Sequence, residues 1–153
     1  MPKESAGILL YRQRGGAIEV FLVHPGGPFW KRKDAGAWTI PKGEADAGEA
    51  RLAAAIREFA EETGTTLAGD FRALPAIKQA GGKWVHAFAL EGDLDPANLV
   101  SNEFEMEWPP RSGKCARFPE IDRGAWFALD DARGRINKGQ AALLDALARL
   151  LAG

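Results

Sequence analysis

At 153 residues, with 46% apolar and 27% charged side chains, the chain carries enough apolar material for one domain with a buried core. Its 20 basic and 21 acidic residues leave a net charge of -1, which excludes a global basic field of the kind that attracts nucleic acid or an anionic membrane. No stretch approaches the ~20 apolar residues of a membrane-spanning helix, and the apolar run before Arg12 is too short for a secretory signal. Cys115 is the sole cysteine, so no intrachain disulfide can form, and the expected location is the reducing cytoplasm.

Residues 6–11 and 18–23 are short runs rich in Ile, Leu and Val, separated by Arg14-Gly15-Gly16-Ala17, a spacing that predicts a β-hairpin. Pro25-Gly26-Gly27-Pro28 stops the second strand and leads into Phe29-Trp30-Lys31-Arg32-Lys33. That segment is either a solvated loop whose aromatics fold back onto the core or a rim that stacks on a base and attracts phosphates. Trp38-Thr39-Ile40 reads as a short strand ended by Pro41. Asp46 and Glu49 then stand at capping-box spacing before an Ala/Leu/Ile run, and Gly64 occupies a C′ position, so one helix is expected over residues 47–63.

Residues 71–79 and 83–90 flank Gly81-Gly82 and predict a second hairpin, with Trp84, His86, Phe88 and Leu90 on one face. Residues 93–102 read as a loop, and residues 103–108 as a strand with Phe104, Met106 and Trp108 on one side. Pro109-Pro110-Arg111-Ser112-Gly113-Lys114 breaks that strand into an exposed cationic loop. Residues 125–129 are the expected last strand, followed by a turn or short helix from Asp130. Asn137 and Gln140 repeat the capping-box spacing ahead of a helix whose stripe of Leu143, Leu144, Leu147, Leu150 and Leu151 packs on the core.

The chemistry concentrates on residues 43–65. At about 100° per residue, Glu61 falls about 60° to one side of Glu58 and Glu62 about 40° to the other, while Leu52, Ala55, Ile56, Phe59 and Thr63 share the adjoining sector. A packing stripe thus runs beside a stripe of carboxylates. A trio of glutamates on a helix is ordinarily a solvated face, but that reading fits poorly here. Like charges at i,i+3 and i,i+4 repel, and Glu61 and Glu62 sit at the negative end of the helix dipole, where each anion is disfavoured by roughly 0.3 to 1 kcal/mol. Arg57 offsets part of this, and a bound divalent cation would offset the whole. Carboxylate oxygens are hard ligands, so the expected ion is Mg²⁺ or Mn²⁺, which suits phosphoryl chemistry.

Gly43, Glu49, Arg57, Glu58, Phe59, Glu61, Glu62 and Gly64 resemble the Nudix box, G-x5-E-x7-R-E-U-x-E-E-x-G-U, where U is a bulky apolar residue. Average residue frequencies give eight such matches by chance about once in 10⁹ starting positions. The last apolar position holds Thr65, whose methyl group substitutes in part. The resemblance implies an α/β (α+β) fold, an α/β/α sandwich around a mixed β-sheet, formed by the chain as a single domain over residues 1–153. It also implies metal-dependent hydrolysis of a nucleotide diphosphate linkage by water attack at phosphorus. Under it Glu58, Glu61 and Glu62 look like metal ligands, one of them serving as or orienting the base, with the Lys42 carbonyl as a backbone ligand. Glu49 and Arg57 look like supports joined by a salt bridge, and Glu49 also fits a plain capping role.

Trp38-Thr39-Ile40-Pro41-Lys42-Gly43 resembles the approach to the box in diadenosine-polyphosphate hydrolases of this superfamily. Those enzymes commonly carry a tyrosine beyond the box, where residues 79–82 stand here, and the sole tyrosine of this chain is Tyr11. The proline that marks many ADP-ribose hydrolases is also absent, since Pro75 comes too early. Residues 101–114 resemble a bacterial branch of NTP pyrophosphohydrolases. In that run Arg111 and Lys114 are candidates to grip distal phosphates, against the reading of an ordinary polar loop.

Glu120 precedes the last strand, where several relatives place an extra catalytic or metal-binding carboxylate. Trp30, Trp84 and Phe29 are candidate base-stacking residues that fit the core equally well, and His86 reads as a satisfied core histidine. The expected partner is a small nucleotide, a dinucleoside polyphosphate ahead of a nucleoside triphosphate, with neither a membrane nor nucleic acid. Many relatives dimerise, which leaves a homodimer open. The alternatives are a nucleotide sensor of the same fold that does not cleave, and an RNA 5′-pyrophosphohydrolase.

Overall fold

The computed structural model describes residues 4–79 and 81–153; Met1, Pro2, Lys3 and Ala80, the last within the 79–82 stretch noted above, lie outside the described residues. β1 (Glu4–Arg14) and β2 (Ala17–Pro25) form the expected hairpin, paired antiparallel from Tyr11 with Val20 to Arg14 with Ala17. Gly15 and Gly16 close it with φ of 58° and 79°, the two positive angles that let a tight turn follow the strand twist. Beyond Tyr11 the strands part, and the following segment wedges between them. Val23 bridges Thr39, the Ile8 N–H donates to the Pro41 carbonyl at 3.2 Å, and β3 (Lys42–Glu44) pairs antiparallel with residues 5–7 of β1.

Next come α1 (Arg51–Thr63), β4 (Arg72–Ala73), β5 (Ile77–Lys78) and β6 (Trp84–Glu91). β6 runs parallel to β1 from Glu4 with Trp84 to Tyr11 with Glu91, and β4 and β5 pair antiparallel with its outer edge. β7 (Glu103–Glu107) and β8 (Cys115–Pro119) make a separate antiparallel ribbon, and β9 (Ile121–Ala128) pairs antiparallel with β2. α2 (Leu129–Arg135) and α3 (Ala141–Ala152) complete the order. The result is a mixed seven-stranded sheet with the main order β4-β6-β1-β2-β9.

The period-2 alternation of β1 sorts its side chains onto two cores. Ala6, Ile8 and Leu10 join Phe21, Val23 and Ile121 beneath Ala54, Ala55 and Phe59 of α1. Leu9 and Tyr11 join Val20, Leu22, Val85, Ala87 and Phe127 beneath Ala132 of α2 and Leu143, Leu144 and Leu147 of α3. Each fully buried Leu, Ile or Phe contributes about 1.5 to 3 kcal/mol, so both faces are held strongly. The expected α/β/α sandwich is therefore present. Among the described residues no helix is long and apolar enough to cross a membrane.

Several expected boundaries shift. The central helix starts at Arg51 rather than at residue 47, because Gly48 takes φ 78° and Ala50 is extended. Glu49 still accepts the Asp46 N–H at 2.9 Å, but the helix has no side-chain cap. The second hairpin is split into β4 and β5 around Leu74-Pro75-Ala76, and residues 38–40 make isolated bridges to Val23 and Ile136 instead of a strand. The last strand begins at Ile121, earlier than expected, and β8 adds a strand that the sequence did not announce. Asn137 caps a 3-10 turn by accepting the Gly139 N–H at 2.8 Å. Gln140 forms no capping box. It is buried, accepts the Ile40 N–H at 3.1 Å and donates to Thr39 Oγ1 at 2.8 Å, tying the segment before β3 to the start of α3.

Candidate active site

Burial of Phe59 against Phe21, with ring centroids 6.2 Å apart, sets α1 on the sheet and turns its carboxylate edge toward β3. The approach is close enough that a Cβ on Gly43 would meet the Glu58 carboxylate and push it aside. Arg57 gathers the surrounding acids. Its Nε and Nη2 donate to the two oxygens of Glu49 at 2.9 and 3.0 Å, its Nη1 to Glu58 at 2.9 Å and Glu61 at 3.2 Å, and its Nη2 to the Glu44 carbonyl at 3.1 Å. The two parallel bonds hold the Glu49 carboxyl down at about 2. Arg57 and Glu49 thus stand together as a brace.

Glu62 is the buried member of the trio, and its Oε1 finds no hydrogen-bond partner among the described residues. Burial first, then the charges of Glu58 and Glu120, push its carboxyl up to about 8, against the opposing pull of Lys42. Burial and the neighbouring Glu61 also raise Glu58, and the same two causes raise Glu120. The Lys42 ammonium is lowered by burial and by Lys83, in spite of the three glutamates near it. Glu58, Glu61, Glu62, Glu120 and the Lys42 ammonium therefore act on one another electrostatically.

The end of α1 places Glu120. The carbonyls of Glu61 and Thr63, without helical partners, accept the N–H groups of Asn102 and Val100, both at 2.9 Å. The Asn102 carbonyl then accepts the Glu120 N–H at 2.7 Å, and the Glu120 carbonyl accepts the Gly26 N–H at 2.8 Å. A Cβ on Gly26 would overlap the Pro119 carbonyl, so only glycine lets β2 end this close to β9.

Among the described residues no three His, Cys, Asp or Glu side chains form a finished metal cage, since Arg57 bonds both Glu58 and Glu61. The donor set nevertheless fits a hard divalent cation. It is all oxygen, it includes the unpartnered Oε1 of Glu62, and its mutual repulsion would be relieved by positive charge.

A cleft of about 710 Å³ opens beside these carboxylates rather than around them, lined among others by Phe29, Lys31, Arg32, Lys33, Trp108, Phe118 and Pro119. Glu58, Glu61 and Glu62 do not line it, and the link is the peptide joining Pro119 to Glu120. Phe29 and Trp108 meet edge to face, with centroids 5.5 Å apart. Trp30 lies on the same loop with Lys33 Nζ 5.1 Å above its ring, but it is not part of the cleft lining. Trp84 is elsewhere, near the outer edge of the sheet on β6, with Lys78 Nζ 5.9 Å from its ring. His86 bonds Glu4 at 3.1 Å, in keeping with a satisfied histidine.

Arg111 and Lys114 sit at the exposed tip of the β7–β8 ribbon, next to Trp108, and neither has a salt-bridge partner among the described residues. A further pair stands in the cleft wall with no sign of it in the sequence. Buried His24 meets Asp122 Oδ1 through Nδ1 at 2.9 Å and the Lys33 carbonyl through Nε2 at 2.6 Å. No local spacing links residues so far apart.

Comparison with known proteins agrees with this architecture. The structure of the Caenorhabditis elegans Ap4A hydrolase binary complex superposes with a TM-score of 0.68 at 25% identity, over 99% of this chain and 98% of that one. The NUDIX domain of Shewanella oneidensis NrtR complexed with ADP ribose shares the fold, with a TM-score of 0.67 at 15% identity, over 99% of this chain and 89% of that one. In sequence, residues of this chain are 39% identical over 66 positions to a bis(5′-nucleosyl)-tetraphosphatase (asymmetrical) of C. elegans, a match that spans 43% of this chain and 44% of that protein. The NUDIX domain model matches residues 1–147, and the chain belongs to the NUDIX family.

Proposed function

We propose that the chain is one catalytic domain that hydrolyses the diphosphate linkage of a nucleotide with Mg²⁺ or Mn²⁺, a dinucleoside polyphosphate such as diadenosine tetraphosphate ranking ahead of a nucleoside triphosphate. The observation that carries the reading is the set of Glu58, Glu61, Glu62 and Glu120, held against one another at the end of α1 and beside an aromatic, cationic cleft. The sequence similarity to a tetraphosphatase supports the same substrate class.

In this reading the four carboxylates and the Lys42 carbonyl hold the ion. When bound, it neutralises phosphate oxygens and acidifies a water. A water oxygen would bond to phosphorus as the bridging P–O bond breaks, the leaving phosphate oxygen taking the electron pair, and the water's proton would pass to whichever carboxylate of the cluster the ion leaves free. Arg57 keeps the acids in register, and Lys31, Arg32 and Lys33 line the route of the anion. The single exposed thiol, Cys115, suits a cytoplasmic setting.

The test is product release from diadenosine tetraphosphate, ATP, ADP-ribose and 5′-triphosphorylated RNA, with Mg²⁺, with Mn²⁺ and with EDTA. Cleavage is expected to be fastest for the dinucleoside polyphosphate, to need the metal, and to fall by at least about 10²-fold in Glu62→Gln. Binding without turnover across the panel would sink the hydrolase reading in favour of a sensor.

A further inference from the structure

The cleft contains one group that phosphate binding does not explain. Lys31, Arg32 and Lys33 suit an anion, yet Asp122 lines the same space. Its orientation is fixed from behind by His24, which is wholly buried and packs edge to face on Trp38 with centroids 5.2 Å apart. The Lys33 carbonyl, 2.6 Å from Nε2, can only accept, so Nε2 carries a hydrogen. Nδ1 faces Asp122 Oδ1 at 2.9 Å, within hydrogen-bond distance. The ring then ties the cationic loop to β9 and occupies one oxygen of Asp122. Among the described residues the other oxygen has only Arg123 Nη1, at 3.5 Å, the outer limit of a hydrogen bond, and keeps its capacity to accept.

The remaining walls are flat and apolar: Phe29 and Trp108 meeting at 88°, with Phe118 and Pro119. A ligand that suits them is planar and aromatic, presents an N–H donor to Asp122, and carries phosphates past the lysines. At about 710 Å³ the space is within the usual range for a small-molecule site. We propose that this cleft binds a nucleobase and that Asp122, positioned by His24, selects bases bearing an exocyclic amino group. The inference rests on the nucleotide reading above and names the feature of the substrate that this site would recognise. The phosphates of such a nucleoside would leave the cleft along Pro119 and reach Glu120.

Calorimetry in EDTA tests it, with adenosine 5′-monophosphate against purine riboside 5′-monophosphate, which has the same rings without the amino group. The adenosine nucleotide is expected to bind on the order of tenfold tighter, as a hydrogen bond to a charged acceptor allows. Asp122→Ala removes the acceptor from the cleft and should abolish the difference. Phe29→Ala, at an exposed position, should weaken both ligands and leave their ratio unchanged. Equal affinities in the unaltered chain overturn the proposal, as does a preference that survives in Asp122→Ala or a failure of both nucleotides to bind. Neither metal nor bond cleavage is involved, so failure here leaves the hydrolysis test standing, and failure there leaves this one standing.

Discussion

Glu62 is the residue at which burial and charge conflict most. Its folded pKa of about 8 lies above the ordinary 4.5, so between those values the native state keeps a proton that the unfolded chain has lost. The stabilisation linked to that proton is complete below about pH 4.5, declines as pH rises toward about 8, and is flat above. We expect urea denaturation of the metal-free protein to show stability falling across this window by on the order of a few kcal/mol, and Glu62→Gln to remove most of the slope. A slope unchanged in the variant would assign it to other groups. Helical spacing alone makes Glu58, Glu61 and Glu62 legible in the sequence as one set. It does not distinguish the buried Glu62 from the half-buried Glu58 and Glu61, because that depends on how α1 packs against the sheet.

At the scale of elements, α1 and the segment after Val100 form a single device. Gly64 ends the helix at φ 81°, and the two free carbonyls behind it take the N–H groups of Val100 and Asn102, the second of which in turn accepts the Glu120 N–H. Gly64→Ala would force a left-handed conformation on a residue with a side chain, at about 1 to 2 kcal/mol. It would also set the new methyl 3.1 Å from Val100 Cβ, against the latch itself. The expected result is a lower Tm together with a lower kcat; a lowered Tm at unchanged kcat would show that Glu120 is placed independently of the latch. Gly64 is readable as a C-cap from position alone, and the first hairpin from its glycines. The latch is not, since it is made by backbone groups of residues with no side-chain signature. β8 escapes for a related reason: Cys115-Ala116-Arg117-Phe118-Pro119 offers little apolar alternation, and its pairing with β7 supplies the order. The helix start is misplaced because spacing alone does not reveal that Gly48 turns the chain the other way.

Across the whole molecule a net charge of -1 hides a separation of signs. The carboxylates lie at the end of α1, while Lys31, Arg32 and Lys33 line the adjacent cleft, and Arg111 and Lys114 cap the ribbon that carries Trp108. A phosphate chain anchored at the carboxylates would come within reach of the ribbon tip only when it is long. Exposed cations attract weakly, and at physiological salt their reach is about 8 Å, so each should act on long substrates alone and only at modest ionic strength. Arg111→Ala is therefore expected to raise KM severalfold for a tetraphosphate-bridged dinucleotide, with kcat little changed, because the contact is made equally in ground and transition states. The effect should shrink for a diphosphate-bridged substrate and fade as salt is raised to about 1 M, where the screening length is about 3 Å. Equal changes in KM on short and long chains, or an effect indifferent to salt, would remove the ribbon tip from substrate binding and leave it as an ordinary polar loop.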